Sequence, residues 1–503
     1  MGMDTQQQLR LQDRFLSVLY PFGDLDVLTS GLRQRGFVIN HASNLAIIVT
    51  KTSETNHNSR DAFSVDAVSL DVDIRIDQAQ IEIRPGWDYI YSIFYAHSKW
   101  GLVVGTEIKE VASIAGQPVH LDDRYIAMYL SGGPIGRATM SPIYGINRIP
   151  RNSYMTIKSD KSVEITTHPW QSRRRSVDAS NLSAVTRQMV AANIERALRA
   201  RTPGPVAVAL SGGLDSSAVS SACRDVVSDR IAAFTLVFER DTSADEREFA
   251  VAVATQFHLD LIEIPGDDLW MLKDFENTPW FDEPLSTTLN WKRQEAMLDA
   301  AARAGVTAFF TGFGGDQLMT LGTRRFVRSL SYRAAFGAES YPIEWAGSRL
   351  KGQGLDSVAY TLDDNSSVTW DSEHHVICRY AAKFGIGVFH PLFSRDLCEL
   401  YLTTPRDWKG YGGNNKRAFR ESFGLPPLVA NRNFKSGGSY ALLKGLQAEW
   451  PKLSKQLIRT PFYEFIDERA FGQHMERLRQ GVAESTAQTI RGLGFALWLL
   501  GLE

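Results

Sequence analysis

The sequence predicts an α/β protein in two parts, a β-rich N-terminal part and a doubly wound parallel sheet that ends in a helical C-terminal part. Three observations support this prediction. Short apolar and β-branched runs recur over about the first 165 residues. From about residue 205 onward, apolar runs alternate with helical stripes, as in a parallel sheet covered on both faces. The length of 503 residues is enough for roughly two to four domains, each with its own core.

The N-terminal part is predicted from six apolar runs, and turn signals such as Pro85-Gly86 separate some of them. A polar, basic stretch follows, which we interpret as a solvated linker. The runs cover residues 37–39, 45–49, 67–74, 81–83, 89–94 and 102–104. The predicted organisation is a first domain over residues 1–170, a linker over residues 171–185 and a second domain over residues 186–503.

The second domain is predicted from an alternation of strands and helices. Residues 206–210 form a continuous apolar run, and the helix after it carries an apolar stripe that includes Ala218 and Ala222. Later strands are predicted at residues 231–238, 261–264 and 306–310, with helices around residues 249–257 and 294–303 between them. Beyond about residue 320 the pattern is mainly helical. Alternating strands and helices of this kind favour a doubly wound sheet.

Composition excludes several classes of protein. The 55 Lys and Arg nearly balance the 57 Asp and Glu, giving a net charge of −2, so no nucleic-acid-binding surface is indicated. Cys223, Cys378 and Cys398 are too few for a disulfide framework, and no Cys or His spacing suggests zinc. The N-terminus lacks the apolar core of a signal peptide, and the apolar run at residues 493–502 is too short to span a bilayer and predicts a buried helix. We therefore expect a cytoplasmic protein with no nucleic-acid or membrane partner.

The strongest functional signal is the sequence Ser-Gly-Gly-Leu-Asp-Ser-Ser at residues 211–217, between the first strand of the sheet and the striped helix. Glycines let backbone N–H groups approach an anion, and the helix N-terminus adds a partial positive charge. The serine hydroxyls can donate to phosphate oxygens. An acid would repel phosphate, so we expect Asp215 to hold a bridging Mg²⁺ ion. The candidate phosphate-binding residues are Leu210, Ser211, Gly212, Gly213, Asp215, Ser216 and Ser217.

This segment resembles the pyrophosphate loop of the ATP-pyrophosphatase superfamily, whose members split ATP into AMP and pyrophosphate. A second segment, Thr-Gly-Phe-Gly-Gly-Asp-Gln at residues 311–317, follows a predicted strand and resembles the matching loop of asparagine-synthetase-like enzymes. The resemblance implies ATP and Mg²⁺ as cofactors, with Asp316 as the second metal ligand. It also implies that Thr311 and Gly312 lie near the nucleotide and that the backbone at Leu236 reads the adenine.

The resemblance continues into the C-terminal part and, more weakly, into the N-terminal part. Residues 390–395, 416–420, 425–429 and 432–437 follow the order of the family's segments. By that resemblance Lys435 meets the reacting acyl phosphate and stabilises the developing charge. Residues 105–109 and 145–150 are similar to segments of the class II glutamine-amidotransferase domain, so the first domain is interpreted as a degenerate domain of that type.

Two departures from the family pattern narrow the prediction. Glutamine-dependent members use an N-terminal cysteine nucleophile, whereas this chain has Gly2 and no cysteine before Cys223. We therefore expect an inert amidotransferase half and an amine carried by the substrate itself. The position where asparagine synthetases carry Glu, and β-lactam synthetases Tyr, is Phe313, which has no titratable group. Asp282 and Glu283 are candidate general bases or amine anchors, with a solvated acidic turn as the alternative.

These features resemble most closely the lasso-peptide cyclases. That resemblance implies that the enzyme adenylates an Asp or Glu side chain of a precursor core peptide and closes a macrolactam with the N-terminal α-amine. The expected partners are the core peptide and a leader peptidase of the same pathway. The alternatives are a β-lactam synthetase-like or asparagine synthetase-like small-molecule amide ligase, a catalytically inactive scaffold, and a tRNA-modifying ATP pyrophosphatase.

Overall fold

A computed structural model describes most of the chain, and every structural statement below concerns the described residues. The residues that it does not describe are 1–6, 12–14, 20–24, 36, 43–45, 52–71, 77–79, 88–90, 134–138, 151, 161, 169–178, 200–202, 321–338, 361–372, 405–407, 409–415, 434–438, 484 and 503.

The N-terminal part contains two antiparallel sheets. The first has the order β1-β5-β6-β10-β11, with strands β1 (Gln7–Leu11), β5 (Val72–Ile76), β6 (Gln80–Pro85), β10 (Ser153–Lys158) and β11 (Val163–Thr167). The second has the order β3-β4-β2-β8-β7-β9, with strands β3 (Phe37–Ala42), β4 (Ala46–Lys51), β2 (Phe15–Leu19), β8 (Gly101–Gly105), β7 (Phe94–Ser98) and β9 (Asn147–Arg148).

Alternation along the strands explains how the two sheets pack. In β5 every second residue is buried, and Ile74 shares one apolar core with Leu102 and Val104 of β8. The opposite face of the second sheet is buried by helices, because Val103 packs with residues of the helices Leu25–Gln34 and Ile108–Ala115. The β-rich prediction for this part is therefore confirmed, whereas its likeness to an amidotransferase domain stays a prediction.

The second part is built on a five-stranded parallel sheet with the order β14-β13-β12-β15-β18. The strands are β12 (Val206–Ala209), β13 (Ile231–Val237), β14 (Asp260–Pro265), β15 (Ala308–Phe310) and β18 (Gly387–Phe389). The helices around it include Ala179–Arg199, Leu214–Val226, Arg247–Gln256, Trp291–Arg303, Gly315–Thr320 and Glu373–Ala381.

Helices cover both faces of this sheet. Val206 and Val208 of β12 face a core formed with Leu214–Val226 and Arg247–Gln256, whereas Ala207 faces the helices Trp291–Arg303 and Glu373–Ala381. The predicted doubly wound parallel sheet is confirmed by this arrangement.

Helices dominate the C-terminal region, with one antiparallel hairpin of β16 (Glu339–Pro342) and β17 (Ser357–Tyr360). The last helix is buried, as its apolar run predicts. No helix in the described ranges is long and apolar enough to cross a membrane. The remaining helices are Asp123–Ser131 in the N-terminal part and Ser348–Gly352, Arg395–Thr403, Arg417–Ser422, Pro427–Ala430, Ser439–Leu457, Phe462–Phe465, Glu468–Arg479 and Ala487–Leu500, with short 3₁₀ turns at Phe275–Asn277, Ser286–Asn290 and Ala382–Phe384.

Three predictions of element bounds differ from the structure. Residues 89 and 90 of the strand expected over residues 89–94 lie outside the described residues, and β7 begins at Phe94. The helix Ala179–Arg199 already covers the last seven residues of the predicted linker, 179–185. Finally, β18 lies in the region expected to be mainly helical. It has three residues, too few to give a periodic signal.

Candidate active site

The two glycine-rich loops meet because of the strand order. In the sheet, β12 lies between β13 on one side and β15 on the other, so the chain changes direction between β12 and β15. Loops that leave the carboxyl ends of strands at such a point form a crevice, which is where open α/β sheets bind ligands. Residues 211–213 follow β12 and residues 311–314 follow β15. The predicted phosphate site and the second predicted loop therefore share one crevice.

The first loop is held in shape by its own serines. Oγ of Ser216 accepts from the backbone N–H of Ser211 at 3.2 Å and donates to the carbonyl oxygen of Gly213 at 3.1 Å. Gly213 is the N-cap of Leu214–Val226, and no side chain caps the first N–H groups of that helix. An uncapped helix N-terminus beside glycines is suited to bind phosphate oxygens. In contrast, Ser217 is fully buried, which argues against the phosphate contact predicted for it.

Two glycines are required where the loops approach their neighbours. Gly212 has φ of +74°, and a Cβ there would lie 2.6 Å from Cβ of Phe249. A Cβ on Gly312 would lie 2.6 Å from the backbone nitrogen of Ser216, so any side chain would push the second loop away from the first. The close contact between the loops brings Asp215 and Asp316 to the same place.

Lys416 joins these two carboxylates. Its Nζ atom lies 2.5 Å from Oδ2 of Asp215 and 2.6 Å from Oδ1 of Asp316. The lysine side chain is 10% exposed, whereas Asp215 is 18% and Asp316 is 59% exposed. The site is thus an anionic pair with one bridging ammonium, open to solvent on the side of Asp316.

The donor set fits Mg²⁺ as the resemblance implies. One cation, the ammonium of Lys416, already contacts an oxygen of each carboxylate, so both oxygens can face a single positive charge. Within the described residues, no cluster of three or more His, Cys, Asp or Glu side chains is available to hold a metal by itself. Mg²⁺ is usually held by one or two carboxylates together with phosphate oxygens and water, which matches this site.

The C-terminal region positions Lys416. The helix Arg417–Ser422 begins directly after it and buries Phe419 and Phe423 in the core that also contains Ala222. The same contact is fixed by the hydroxyl of Ser221, which donates to the carbonyl oxygen of Phe423 at 2.7 Å. The helix that follows the first loop therefore holds the C-terminal end of the short helix that begins directly after Lys416.

A buried arginine supports the first loop from the same region. The guanidinium of Arg432 pairs with Glu246, donates to the carbonyl oxygen of Gly212 at 3.5 Å and lies 4.1 Å from the ring centroid of Phe249. Arg420 donates to the carbonyl oxygen of Arg432 at 2.7 Å and so holds that segment in place. These contacts give residues 420 and 432 a supporting function at the loop that their order in the sequence does not reveal.

Aromatic residues line the second loop. The ring of Phe313 lies 5.1 Å from His390 and 5.8 Å from Phe393. Phe393 in turn contacts the N-terminal part, because its carbonyl oxygen accepts from Nε1 of Trp87 at 2.9 Å and the two rings lie 5.4 Å apart. The ring of Phe313 therefore packs against the rings of His390 and Phe393. Oγ1 of Thr311 also contacts Nδ1 of His390 at 2.6 Å.

The structure places Glu283 in the contact between the two parts of the chain. Its side chain is 4% exposed, and it pairs with the equally buried Arg148 at 2.5 Å. It also accepts from the hydroxyls of Ser92 at 2.5 Å and Tyr125 at 3.0 Å. A carboxylate fixed by an arginine and two hydroxyls is well suited to join the two parts of the chain. These contacts favour a structural function for Glu283, and its function as a base stays a prediction.

Asp282 has the same kind of position. Oδ1 accepts from the backbone N–H of Ile108 at 3.0 Å, and Oδ2 pairs with Arg379 at 3.2 Å. The carboxylate is 6% exposed. A solvated acidic turn does not describe this acid, which joins the two parts of the chain, and its function as a base stays a prediction.

Three other predicted site residues, Leu210, Leu236 and Lys435, can be compared with the structure to different extents. Leu210 is buried and donates its N–H to Phe234 at the end of β12, as expected for the start of the loop. Leu236 lies near the carboxyl end of β13, and its contact with adenine stays a prediction. Lys435 lies outside the described residues. The sequence does not single out Lys416 or His390 as site residues. Both lie in the segments 416–420 and 390–395, which follow the order of the family's segments.

Comparison with known proteins supports the family resemblance for part of the chain. Residues 187–355, about a third of the chain, match the family model described as asparagine synthase. The matched region includes both loops and ends before Lys416.

Relatives and solved structures are distant. "Amidase chyE" of Penicillium rubens is 24% identical over 245 residues, which cover 45% of this chain and 36% of that protein. "Amidase chry2" of Gibberella zeae is 28% identical over 133 residues, which cover 24% of this chain and 20% of that protein. The chain thus spans about a third or less of these curated relatives. A U34-tRNA thiolase from Methanococcus maripaludis shares 13% identity, with 60% of this chain and 79% of that chain covered, at a TM-score of 0.26, which is too low to identify fold or function.

Proposed function

We propose that this protein is an AMP-forming, ATP-dependent amide ligase that joins a carboxylate and an amine of one peptide, as lasso-peptide cyclases do. The observation that carries the proposal is the meeting of two glycine-rich loops at the β12–β15 crevice, with Lys416 between Asp215 and Asp316. This crevice combines an uncapped helix N-terminus, two carboxylates suited to a divalent cation and a buried ammonium. Together they suit the charge distribution of a nucleoside triphosphate that loses pyrophosphate.

The chain's own residues perform binding and orientation in this reaction. The N–H groups at the start of Leu214–Val226 and the hydroxyl of Ser211 bind phosphate oxygens. Asp215 and Asp316 would hold Mg²⁺, which neutralises the charge of the leaving pyrophosphate. Lys416, which contacts both carboxylates, would supply a positive charge beside the bound phosphates. The substrate carboxylate then attacks the α-phosphate to give an acyl-adenylate, and the amine displaces AMP.

Two features favour an amine supplied by the substrate over ammonia from glutamine. No cysteine precedes Cys223 in this sequence, so the first domain carries no thiol for glutamine hydrolysis. In addition, the acids in the segment 282–283 are committed to Ile108, Arg148 and Arg379 and so provide no site for a free amine. Amine and carboxylate on one molecule also gain from being held together, which can lower a barrier by about 7–11 kcal/mol.

A peptide substrate is favoured over a small amino acid by the nature of Phe313. This residue lacks the titratable group that both kinds of small-molecule ligase carry at that position. Its ring is half-buried and packs against the buried ring of Phe393, so it offers no polar group to orient a small zwitterion.

The direct test compares three substrates with purified protein, ATP and Mg²⁺. The first is a leader-free precursor peptide encoded beside this gene, with a free α-amine and an Asp or Glu. The second is a β-amino acid, and the third is aspartate with ammonium. We expect AMP, pyrophosphate and a peptide that has lost one water, seen by mass spectrometry, with the first substrate alone. Turnover with only the second or third would reject the peptide substrate, and formation of ADP would reject the AMP-forming reaction.

Glutamine and Lys435 provide two further checks. We expect no glutamate release from glutamine, with or without ATP, because residues 1–170 of this sequence contain no cysteine. Lys435→Ala should slow amide formation by about 10²–10³-fold while ATP still binds, as for a group that stabilises charge in the transition state. A wild-type rate for this variant would show that Lys435 has no part in the reaction.

A further inference from the structure

His390 has an imidazole directly behind the second loop. Its Nδ1 atom lies 2.6 Å from Oγ1 of Thr311, and its Nε2 atom lies 3.3 Å from Sγ of Cys378. The ring of Phe313 packs 5.1 Å away. The imidazole is therefore held on both nitrogens and on one face, at the loop that follows β15.

The donors around His390 indicate which of its two ring nitrogens carries the proton. The thiol of Cys378 donates to the carbonyl oxygen of Val388 at 3.7 Å, so in the contact between Sγ of Cys378 and Nε2 of His390 the ring nitrogen is the donor. With the ring proton on Nε2, Nδ1 accepts from the hydroxyl of Thr311. Oγ1 of Thr311 in turn accepts from the N–H of Phe313 at 3.2 Å. The network thus assigns a neutral imidazole whose basic nitrogen lies behind a hydroxyl.

Formation of an amide needs a proton acceptor at this crevice. The attacking amine must lose a proton as its nitrogen bonds to carbon, and a positioned group with a pKa near neutral accepts it most efficiently. Asp215 and Asp316 are paired with Lys416, and Phe313 has no titratable group. Histidine is the side chain whose ordinary pKa lies in the required range.

We propose that Thr311 and His390 form the proton relay for amide formation, an inference that rests on the proposed function. The amine nitrogen bonds to the acyl carbon of the adenylate, the bond from that carbon to the AMP oxygen breaks, and its electron pair leaves with AMP. The amine proton passes to Oγ1 of Thr311 while the hydroxyl proton passes to Nδ1 of His390. The imidazolium then releases this proton to solvent, and the contact with Cys378 keeps the ring in the accepting tautomer.

A second histidine–threonine contact, distant in sequence from the second loop, provides a matched control. Nε2 of His474 lies 3.1 Å from Oγ1 of Thr489, so it is a second half-buried histidine bonded to a threonine hydroxyl. This pair belongs to the C-terminal helices Glu468–Arg479 and Ala487–Leu500. A substitution there tests the loss of a histidine–threonine contact without touching the second loop.

The experiment separates activation from amide formation in the wild type and in variants. Exchange of labelled pyrophosphate into ATP reports adenylation, and loss of water from the leader-free peptide reports amide formation. His390→Gln keeps a hydrogen-bonding side chain that cannot take up a proton, so exchange should stay near the wild-type rate. Amide formation should fall by about 10²–10⁴-fold, the usual contribution of general acid–base catalysis. His474→Gln should leave both rates unchanged.

A double-variant comparison distinguishes a relay from two independent contacts. Thr311→Val removes the hydroxyl at nearly constant shape, and the double variant with His390→Gln should form amide no more slowly than the slower single variant, because both changes interrupt one relay. Multiplied effects would overturn the relay, as would amide formation by His390→Gln at the wild-type rate or an equal loss of both steps. Absence of exchange in the wild type would instead reject the proposed function, and the relay with it, since no adenylate would form.

Discussion

Two pairs of acidic residues are candidate site residues from the sequence, but their surroundings in the structure differ. The crevice pair, Asp215 and Asp316, lies at the carboxyl ends of β12 and β15, where one lysine bridges it. The interface pair, Asp282 and Glu283, lies between the N-terminal part and the sheet, where each acid has its own arginine.

The difference lies in exposure and in the nature of the partners. The acids of the interface pair are 6% and 4% exposed, against 18% and 59% for the crevice pair. Arg148 and Arg379, with side chains 4% and 11% exposed, each hold one acid of the interface pair, whereas one lysine, 10% exposed, is shared by the crevice pair. A carboxylate can serve a ligand only where the ligand can reach it from solvent. Asp316 meets this condition, so the crevice pair is the candidate binding site and the interface pair is structural.

The largest effect is expected from Asp215→Asn. It removes a hard anionic ligand while keeping the shape, so pyrophosphate exchange should fall by more than the roughly 10²–10³-fold cost of losing one directed donor. Thermal stability should change less than in the interface pair, because Lys416 keeps Asp316 as a counter-charge. Asp316→Asn should behave in the same way. Asp299→Asn, which breaks an exposed pair with Arg303, is the matched control and should leave exchange intact.

The interface pair should give the opposite result. Glu283→Gln leaves Arg148 buried without its counter-charge, which typically costs about 3–5 kcal/mol of the free energy of unfolding. Urea denaturation should therefore show a clearly lower midpoint, while the folded protein at low temperature should keep its exchange activity. Loss of amide formation with an unchanged midpoint would contradict the comparison and support Glu283 as a base.

A smaller effect is expected from Lys416→Met when nucleotide is absent. The variant frees the crevice pair from a competing cation, so Mn²⁺, used as a spectroscopic probe, should bind more tightly. Two exposed ion pairs of roughly 0.2–1 kcal/mol each would correspond to a roughly 2–30-fold lower Kd, and the effect should be at least this large because Lys416 is only 10% exposed. Electron paramagnetic resonance of free Mn²⁺ measures this directly. Weaker binding would mean that the lysine supports the cation site instead of competing with the cation.

Much of the sheet and of the first loop could be predicted because the signals there are local. Strands β12, β13 and β14 follow from continuous apolar runs, and the glycines and serines of residues 211–217 are adjacent in sequence. Lys416 and His390 depend instead on contacts 201 and 79 residues away, and no local pattern encodes such a partner. The surroundings of the segment 282–283 could not be predicted for the same reason, since Arg148 lies 135 residues from Glu283.

The smallest expected effect comes from His474, which adds its own contribution to the pH dependence of stability when the interface pair is titrated with acid. Burial, and secondarily the charge of Arg477, lowers the pKa of His474 below its ordinary value. Above the ordinary value, about 6.5, the imidazole is neutral in both folded and unfolded states and the shift has no effect on stability. As the pH falls through that value toward the lower folded pKa, the unfolded state binds the proton more readily, so stability declines.

His474→Gln should remove this contribution. Urea midpoints of wild type and variant at about pH 7.5 and about pH 5.5 give the test, and the wild type should lose more stability on acidification than the variant does. Burial also lowers the pKa of His168, but this residue is present in both proteins and cancels in the comparison. An equal loss in the two proteins would mean that His474 titrates normally. The acid dependence would then come from His168 and the carboxylates, and Glu283→Gln would show how much of it the interface pair contributes.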